Sequence, residues 1–235
     1  LCSQGLRVSA MSRSPDKTRA LPGFSGAEVV YGDPANPDSL PAAFAGVEKV
    51  LIIPPSGPAW NRSEQNLLAA AQAAGVKYAV RISTMGADPA QPSMSLSFHA
   101  EGDARLLQSG IPFTSLRACS FMQNFLTFYA AGIRADGSIY QCTGDVPTAL
   151  IDTRDIGDVA VALLTTPSTT YHRQILELTG PEAINYSQAA ATLGNVLGRT
   201  VRYVDVPNEA YRQALIGFGV PDWGADEVVN IYGRG

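Results

Sequence analysis

Charge of one sign, metal-ligating side chains and long apolar runs are all scarce in these 235 residues. Lys and Arg together number 17 against 21 Asp and Glu, so there is no basic excess to neutralise a phosphate backbone, and a nucleic-acid partner is not expected. No apolar run approaches the roughly 20 residues that span a bilayer, so no membrane segment is expected. Cys2, Cys119 and Cys142 are an odd, widely spaced set without C-x-x-C, which points to reduced thiols in a cytoplasmic protein rather than a disulfide framework. Only two histidines occur, His99 and His172, with no His or Cys at ligand spacing; no zinc site is expected. A G-x-S-x-G elbow is missing too, which removes a serine hydrolase from consideration. A chain of this length buries roughly 70–75% of its unfolded surface and needs no covalent or metal staple.

What is present is alternation. Strand-like runs at 7–11, 27–31, 48–53, 78–83 and 112–116 alternate with helical spacing at 37–44, 62–74 and 98–109. Each helical segment meets a glycine (Gly46, Gly75, Gly110) where a helix would stop. The helix over 62–74 gathers Leu67, Leu68, Ala71 and Ala74 on one face. Runs such as Val50-Leu51-Ile52-Ile53 are apolar on both faces, as buried parallel strands are. The pattern predicts an α/β, Rossmann-like doubly wound parallel sheet with right-handed crossovers. Further on, helices are expected at 121–131, 153–165 and 186–197, strands at 138–142, 174–179 and 201–206, and helical pieces up to Tyr232. The expected division is a nucleotide-binding core over 1–120 and a smaller α/β lobe over 121–235, interwoven with it. Leu1-Cys2-Ser3-Gln4-Gly5 carries no initiator Met and reads as the last turn of a helix closing on a Gly stop, so the chain is expected to be a fragment.

Ligands of open parallel sheets bind beyond the carboxyl ends of the strands. After the first strand stand Ser12, Arg13 and Lys17. An acid here would bind a ribose 2′-hydroxyl, whereas Arg and Lys suit a 2′-phosphate; the alternative is a solvated basic turn. After the second, Gly32 allows close backbone approach and Asp33 can accept from an adenine amino group or cap the following turn. Pro54, Pro55 and Ser56 form a rigid, donor-poor loop suited to a flat ring or ribose, or simply a stiff connection. Ser83 ends another strand and offers a hydroxyl. His99, near the start of its helix, suits a ribose contact or a proton relay, or else a backbone-bonded structural role. Met122, Phe125, Leu126 and Phe128 look like core or pocket lining, and Asn124 among them needs a partner if buried.

Several stretches together carry a family likeness: Arg13-Ser-Pro-Asp-Lys17, Gly32-Asp33 with Asp38-Ser39-Leu40, Ala45-Gly46-Val47, Ala74-Gly75-Val76, His99-Ala-Glu, Ser109-Gly110-Ile111-Pro112, Arg117 with Phe121-Met122-Gln123-Asn124, and Asp152-Thr-Arg-Asp155-Ile156. In this order they resemble the NmrA-like group of atypical short-chain dehydrogenases/reductases, which includes NAD(P)H-dependent quinone oxidoreductases and redox-sensing regulators. The resemblance implies NADP(H), with NAD(H) as the alternative, bound through Ser12, Arg13 and Lys17, with adenine at Gly32 and Asp33. It implies nicotinamide-ribose contacts from Pro54, Pro55, Ser56 and His99, and a nicotinamide and substrate border at Phe121, Met122 and Asn124.

Two departures qualify it. The family's first strand and Gly-rich turn, which cradle a pyrophosphate, are not in these residues, and Gly23-Phe24-Ser25-Gly26 does not replace them. None of the nine tyrosines has Lys four residues later, so the usual Tyr-x-x-x-Lys proton donor is missing. That favours an easily reduced acceptor, whose oxyanion is delocalised and needs only solvent or His99 for protonation. The expected role is an NADPH-dependent reductase of a quinone-like small molecule. The competing role is a non-catalytic NADP(H) sensor acting through a protein partner, and a homodimer is also left open.

Overall fold

The computed structural model describes residues 1–54, 57, 59–167 and 170–233. In chain order it contains β1 (Ser9–Ser12), α1 (Pro15–Arg19), β2 (Glu28–Tyr31), α2 (Leu40–Ala43), β3 (Lys49–Ile52), α3 (Trp60–Ala73), β4 (Tyr78–Thr84), α4 (Met94–Gln108) and β5 (Phe113–Ala118). Then come β6 (Ser120–Phe121), α5 (Ala130–Asp136), β7 (Ser138–Gln141), β8 (Thr148–Ile151), α6 (Thr153–Thr165) and β9 (Gln174–Leu178). The chain continues through β10 (Ala183–Ile184), α7 (Tyr186–Leu197), β11 (Arg202–Asp205), α8 (Asn208–Gly217) and α9 (Asp222–Tyr232). This is a Rossmann-like α/β fold. Among the described residues no helix is long and apolar enough to cross a membrane.

Two compact units share the chain. The first comprises Leu1–Ser83, Ala100–Leu116 and Asp158–Leu176; the second comprises Thr84–His99, Arg117–Gly157 and Glu177–Gly235.

In the first unit β1 and β2 run parallel, with Ser9 beside Glu28 and Ser12 beside Tyr31. A separate ladder has the order β3-β4-β5-β9, and β3 lies parallel to β4 with Lys49 beside Tyr78 and Ile52 beside Arg81. β4 is buried along nearly its whole length, as a parallel strand covered on both faces should be. β3 is less enclosed than its composition suggests, for Leu51 is 37% exposed. The apolar core gathers Leu40, Phe44, Ile52, Leu67, Leu68, Ala71, Leu106 and Phe113. Ala74, grouped with Leu67 and Leu68 by spacing, falls just past the last residue of α3 and is exposed. Gly46, Gly75 and Gly110 all have φ above +70°, a backbone an L side chain adopts only with strain.

Inside this apolar frame sits a buried ion cluster that strand periodicity does not reveal. Arg81, in the middle of β4, and Glu64 of α3 are fully buried, and Asp103 of α4 is 4% exposed. Arg81 Nε donates to Glu64 Oε1 at 2.5 Å and its Nη2 to Oε2 at 3.1 Å, a two-pronged fork. Arg81 Nη1 donates to Asp103 Oδ1 at 3.0 Å, and the Ser83 and Ser115 hydroxyls donate to Asp103 at 3.1 and 2.6 Å. Arg105 Nη1 lies 3.5 Å from Glu64, while its Nη2 donates to Glu101 and Asn61. Charges this deep are tolerated only when paired and hydrogen-bonded; removing one partner of such a set costs about 3–5 kcal/mol.

The second unit holds the three-stranded sheet β10-β8-β6 and the parallel pair β11-β7. Tyr129, Ile133, Ile139, Tyr186, Ala190 and Val201 form its core. The Tyr129 and Tyr186 hydroxyls meet at 3.0 Å, and Gln141 Nε2 donates to Tyr129 at 2.9 Å. Burial holds both phenols far above the ordinary tyrosine range, so they stay neutral. α6 and α7 coincide with the spacing-based expectation, and α7 opens on a reciprocal Asn185–Gln188 capping box. The expected helix over 121–131 is instead a strand end, a π-helical turn at Phe125–Tyr129 and then α5. β8, of four residues, and the two-residue β10 are not among the expected strands.

Gly102 has no room for a methyl group: a Cβ there would strike the Arg81 guanidinium and the Glu64 carboxylate. Gly102→Ala should therefore destabilise by about 1–3 kcal/mol through overpacking, although Ala in a helix interior is normally better by up to about 1 kcal/mol. A lowered urea midpoint is the expected outcome, and a raised one would show that the cluster yields.

Candidate functional site

The parallel pairing of β1 with β2 sets two strand ends side by side, Ser12 on one and the Tyr31–Gly32 link on the other. A cavity of about 490 Å³ opens there. Ser12, Arg13, Gly32 and Asp33 line its polar side, and Ile53, Trp60 and Leu67 its apolar side. Gly32 is packed tightly, since a Cβ would come within 2.6 Å of Met11 and 3.2 Å of Ala43. The Ser12 hydroxyl accepts from Ser14 N at 3.0 Å and from Thr18 Oγ1 at 2.7 Å, which leaves its own proton to be donated. One Asp33 oxygen accepts from Ala35 N at 2.9 Å and so caps the turn, while the carboxylate still borders the cavity. Capping and ligand contact are thus compatible at Asp33. Arg13 is exposed on the rim and makes no ion pair among the described residues.

Four of the residues singled out by strand-end reasoning therefore meet in one place. Lys17 is not among the lining residues; it lies on α1 and is exposed. Pro54 is half-buried and outside the lining, and Pro55 and Ser56 lie outside the described residues. Ser83 is 3% exposed with its hydroxyl given to Asp103, so it serves the buried cluster. Trp60, Ser63 and Leu67, by contrast, join the lining without having been expected there. Their signal is in the spacing: positions i, i+3 and i+7 of a helix that opens just after a strand-end loop share one face.

A second group belongs to the second unit. His99 is half-buried in the second turn of α4, because the helix opens at Met94 rather than near Phe98. Its first turn is anchored by Glu227 of α9, whose carboxylate accepts from Met94 N and Ser95 N, both at 2.8 Å, and from the Ser93 hydroxyl at 2.5 Å. An acid at this position meets the positive end of the helix dipole. Phe121 ends β6, and Met122 comes next with 41% exposure. Asn124 is partly exposed, so water can satisfy it. Gln123 fixes this segment: its Nε2 donates to Asp152 at 2.9 Å and its Oε1 accepts from Thr153 N at 3.0 Å. Hydrogen bonds from the Arg154 side chain and N–H, and from Gln123, hold the Asp152 carboxyl well below the usual carboxylate range. Beyond it, the π-helical turn leaves Leu126 and Phe128 more than 70% exposed; such turns recur at functional sites.

Another hollow of similar size, about 520 Å³, lies at the end of α7 and is more open. Its lining is largely small residues, and Arg199 there already donates to the Ile133 carbonyl. It offers no acid or histidine to a ligand.

Parallel strand ends with a cavity between them, an acid on its lining and, on its rim, an arginine that makes no ion pair among the described residues are features that a dinucleotide-binding protein of the Rossmann type presents. The chain belongs to the NmrA-like family, whose pattern matches residues 1–232. It is 36% identical over 227 residues to an NAD(P)H azoreductase of Xenophilus azovorans, covering 97% of this chain and 78% of that protein. It is 31% identical over 224 residues to quinone oxidoreductase 2 of Escherichia coli, covering 94% and 76%. The crystal structure of the Escherichia coli NADPH-dependent quinone oxidoreductase complexed with NADPH superimposes with a TM-score of 0.82 at 29% identity, covering 95% of this chain and 77% of that one.

Gln123→Ala should free the 120–124 segment and the first turn of α6. Faster amide hydrogen exchange confined to those residues, with an unchanged circular dichroism spectrum, is the expected result.

Proposed function

We propose that this chain uses NADPH to reduce a planar, easily reduced acceptor of the quinone or azo class. The chain is an NAD(P)H-dependent oxidoreductase by family; the acceptor class and the residue roles are our reading. The observation that carries it is the cavity at the ends of β1 and β2, where Arg13, which makes no ion pair among the described residues, stands beside Ser12, Gly32 and Asp33. These residues fit the adenosine end of the cofactor. The Arg13 guanidinium can grip a ribose 2′-phosphate with two parallel hydrogen bonds, and Ser12 can donate to the same group. Asp33 accepts from the adenine amino group, and Ile53, Trp60 and Leu67 flank its ring. Bound there, NADPH supplies a hydride.

The chain's remaining task is to handle the charge that the acceptor gains. His99 donates a proton to the acceptor oxygen or nitrogen, the part a Tyr–Lys pair plays elsewhere. Phe121 and Met122 offer apolar contact to a flat acceptor, and Asn124 a hydrogen bond. No stronger acid is required, because charge on a reduced quinone is spread over the ring. Azo and quinone reduction by the relatives supports this acceptor class.

The test is NADPH oxidation monitored with 1,4-benzoquinone and with an azo dye. Acceptor-dependent oxidation is expected; NADPH binding without it would turn the reading to a sensor. Arg13→Ala should raise the KM for NADPH about tenfold or more, the loss of one charge-assisted contact, and change the KM for NADH much less. His99→Ala should lower kcat about tenfold or more. Unchanged turnover with both acceptors would remove His99 from the mechanism.

A further inference from the structure

The hydroxyl of Ser12, on the cavity lining at the end of β1, is more constrained than a rim serine needs to be. A hydroxyl oxygen has two lone pairs and one proton. Both acceptor positions of Ser12 Oγ are filled, by Ser14 N at 3.0 Å and by Thr18 Oγ1 at 2.7 Å. Among the described residues Ser12 donates to none, so its proton is left for whatever enters the cavity. Thr18 is half-buried on α1 and is not among the lining residues. It therefore bears on the cavity through Ser12. The helix that carries it is tied down locally. Arg19 Nη2 donates to the Val29 carbonyl of β2 at 3.1 Å, and Arg19 Nη1 to Asp16 at 2.6 Å. The second bond engages the acid of α1 with Arg19, while Arg13 makes no ion pair among the described residues. All of these groups lie within the first unit.

The two ribose groups that could meet Ser12 differ in what they need. The 2′-hydroxyl of NADH both donates and accepts, whereas the 2′-phosphate of NADPH presents acceptor oxygens and negative charge. A serine with free lone pairs suits either one. A serine whose lone pairs are taken can only donate, and its better partner is the phosphate. We infer that Thr18 is a positioning residue for cofactor selectivity: its hydroxyl holds Ser12 as a donor and so tunes this strand end for a 2′-phosphate against a 2′-hydroxyl. This rests on the reading of the cavity as the adenosine site of NADPH. Without the threonine hydroxyl, Ser12 gains a free lone pair, can turn to accept from a ribose hydroxyl, and the preference narrows.

The experiment titrates the whole chain by calorimetry with adenosine 2′,5′-bisphosphate and with adenosine 5′-monophosphate, so it reads binding without turnover. Arg13→Ala and Ser12→Ala should each weaken the bisphosphate about tenfold, the loss of a charge-assisted contact. Thr18→Val should weaken it about threefold and leave the monophosphate within about twofold. Thr18→Ser keeps the donor and should return the native affinity. In a Ser12→Ala background Thr18→Val should add nothing further, because the group it acts through is gone. If Thr18 merely kept the turn in shape, valine would weaken binding as much there as in the native chain. A bisphosphate affinity that falls in Arg13→Ala but not in Thr18→Val, or that falls equally with and without Ser12, overturns the positioning role and leaves the reading of the cavity standing. If Arg13→Ala binds the bisphosphate as the native chain does, both fall. Should Thr18→Val fail to fold, Thr18→Ala takes its place in both backgrounds.

Discussion

Arg81 is the residue on which the first unit turns. A fully buried guanidinium in the middle of a parallel strand cannot be left without partners, because the cost of an isolated charge in the interior exceeds the stability of an ordinary domain. It is answered by Glu64 from one helix and Asp103 from another, and these carboxylates are answered in turn by Ser83, Ser115 and Arg105. Apolar packing against β4 would hold α3 and α4 near the sheet but allow either to slide by a side chain. Directional bonds remove that freedom. The cluster contributes little net stability compared with a well-packed apolar substitute, but it ties β4 to α3 and α4 at named atoms.

The cavity at the strand ends is built on a different principle. Its polar residues come from the ends of two short strands, and parallel pairing alone places them: Ser12 and Tyr31 are register partners, so the residues just past each strand must be adjacent. Arg13 stands exposed on the rim, so its planar guanidinium is free to turn toward solvent. Gly32 needs no support, only the lack of a side chain. Trp60 and Leu67, by contrast, depend on α3, which Glu64 ties to Arg81. The apolar wall of the cavity is thus held by the same ion cluster, through the helix that carries both.

How much of this is legible in the amino-acid sequence depends on the range of the interactions. The alternation of β1 and β2 is local, so both strands can be read to within two residues at each end, and the residues beyond them can be named as a ligand edge. α6 and α7 carry their own start signals, and spacing alone gives their bounds. Spacing starts α4 four residues too late, because the acid that anchors its first turn comes from 132–134 residues further along the chain. No local pattern contains that partner. Lys17 does not line the cavity with Arg13; it lies four residues on, exposed on α1. Ser83 misleads because a serine at a strand end looks the same whether its hydroxyl faces a ligand or a buried carboxylate. Arg81 gives no signal at all: a charge in a strand reads as an interruption until its two acids are found.

The contact between Gly102 and Arg81 also bears on how this sequence can drift. Any side chain at 102 demands a smaller residue at 81, and a smaller residue at 81 abandons Glu64 and Asp103 to a site that water does not reach. No single replacement at any of these four positions leads to an equally good neighbour, so change here must come as a set or not at all. Homologues should therefore divide into two populations, those that keep the arginine with its glycine and two acids, and those that have exchanged all four for apolar residues, with few sequences in between.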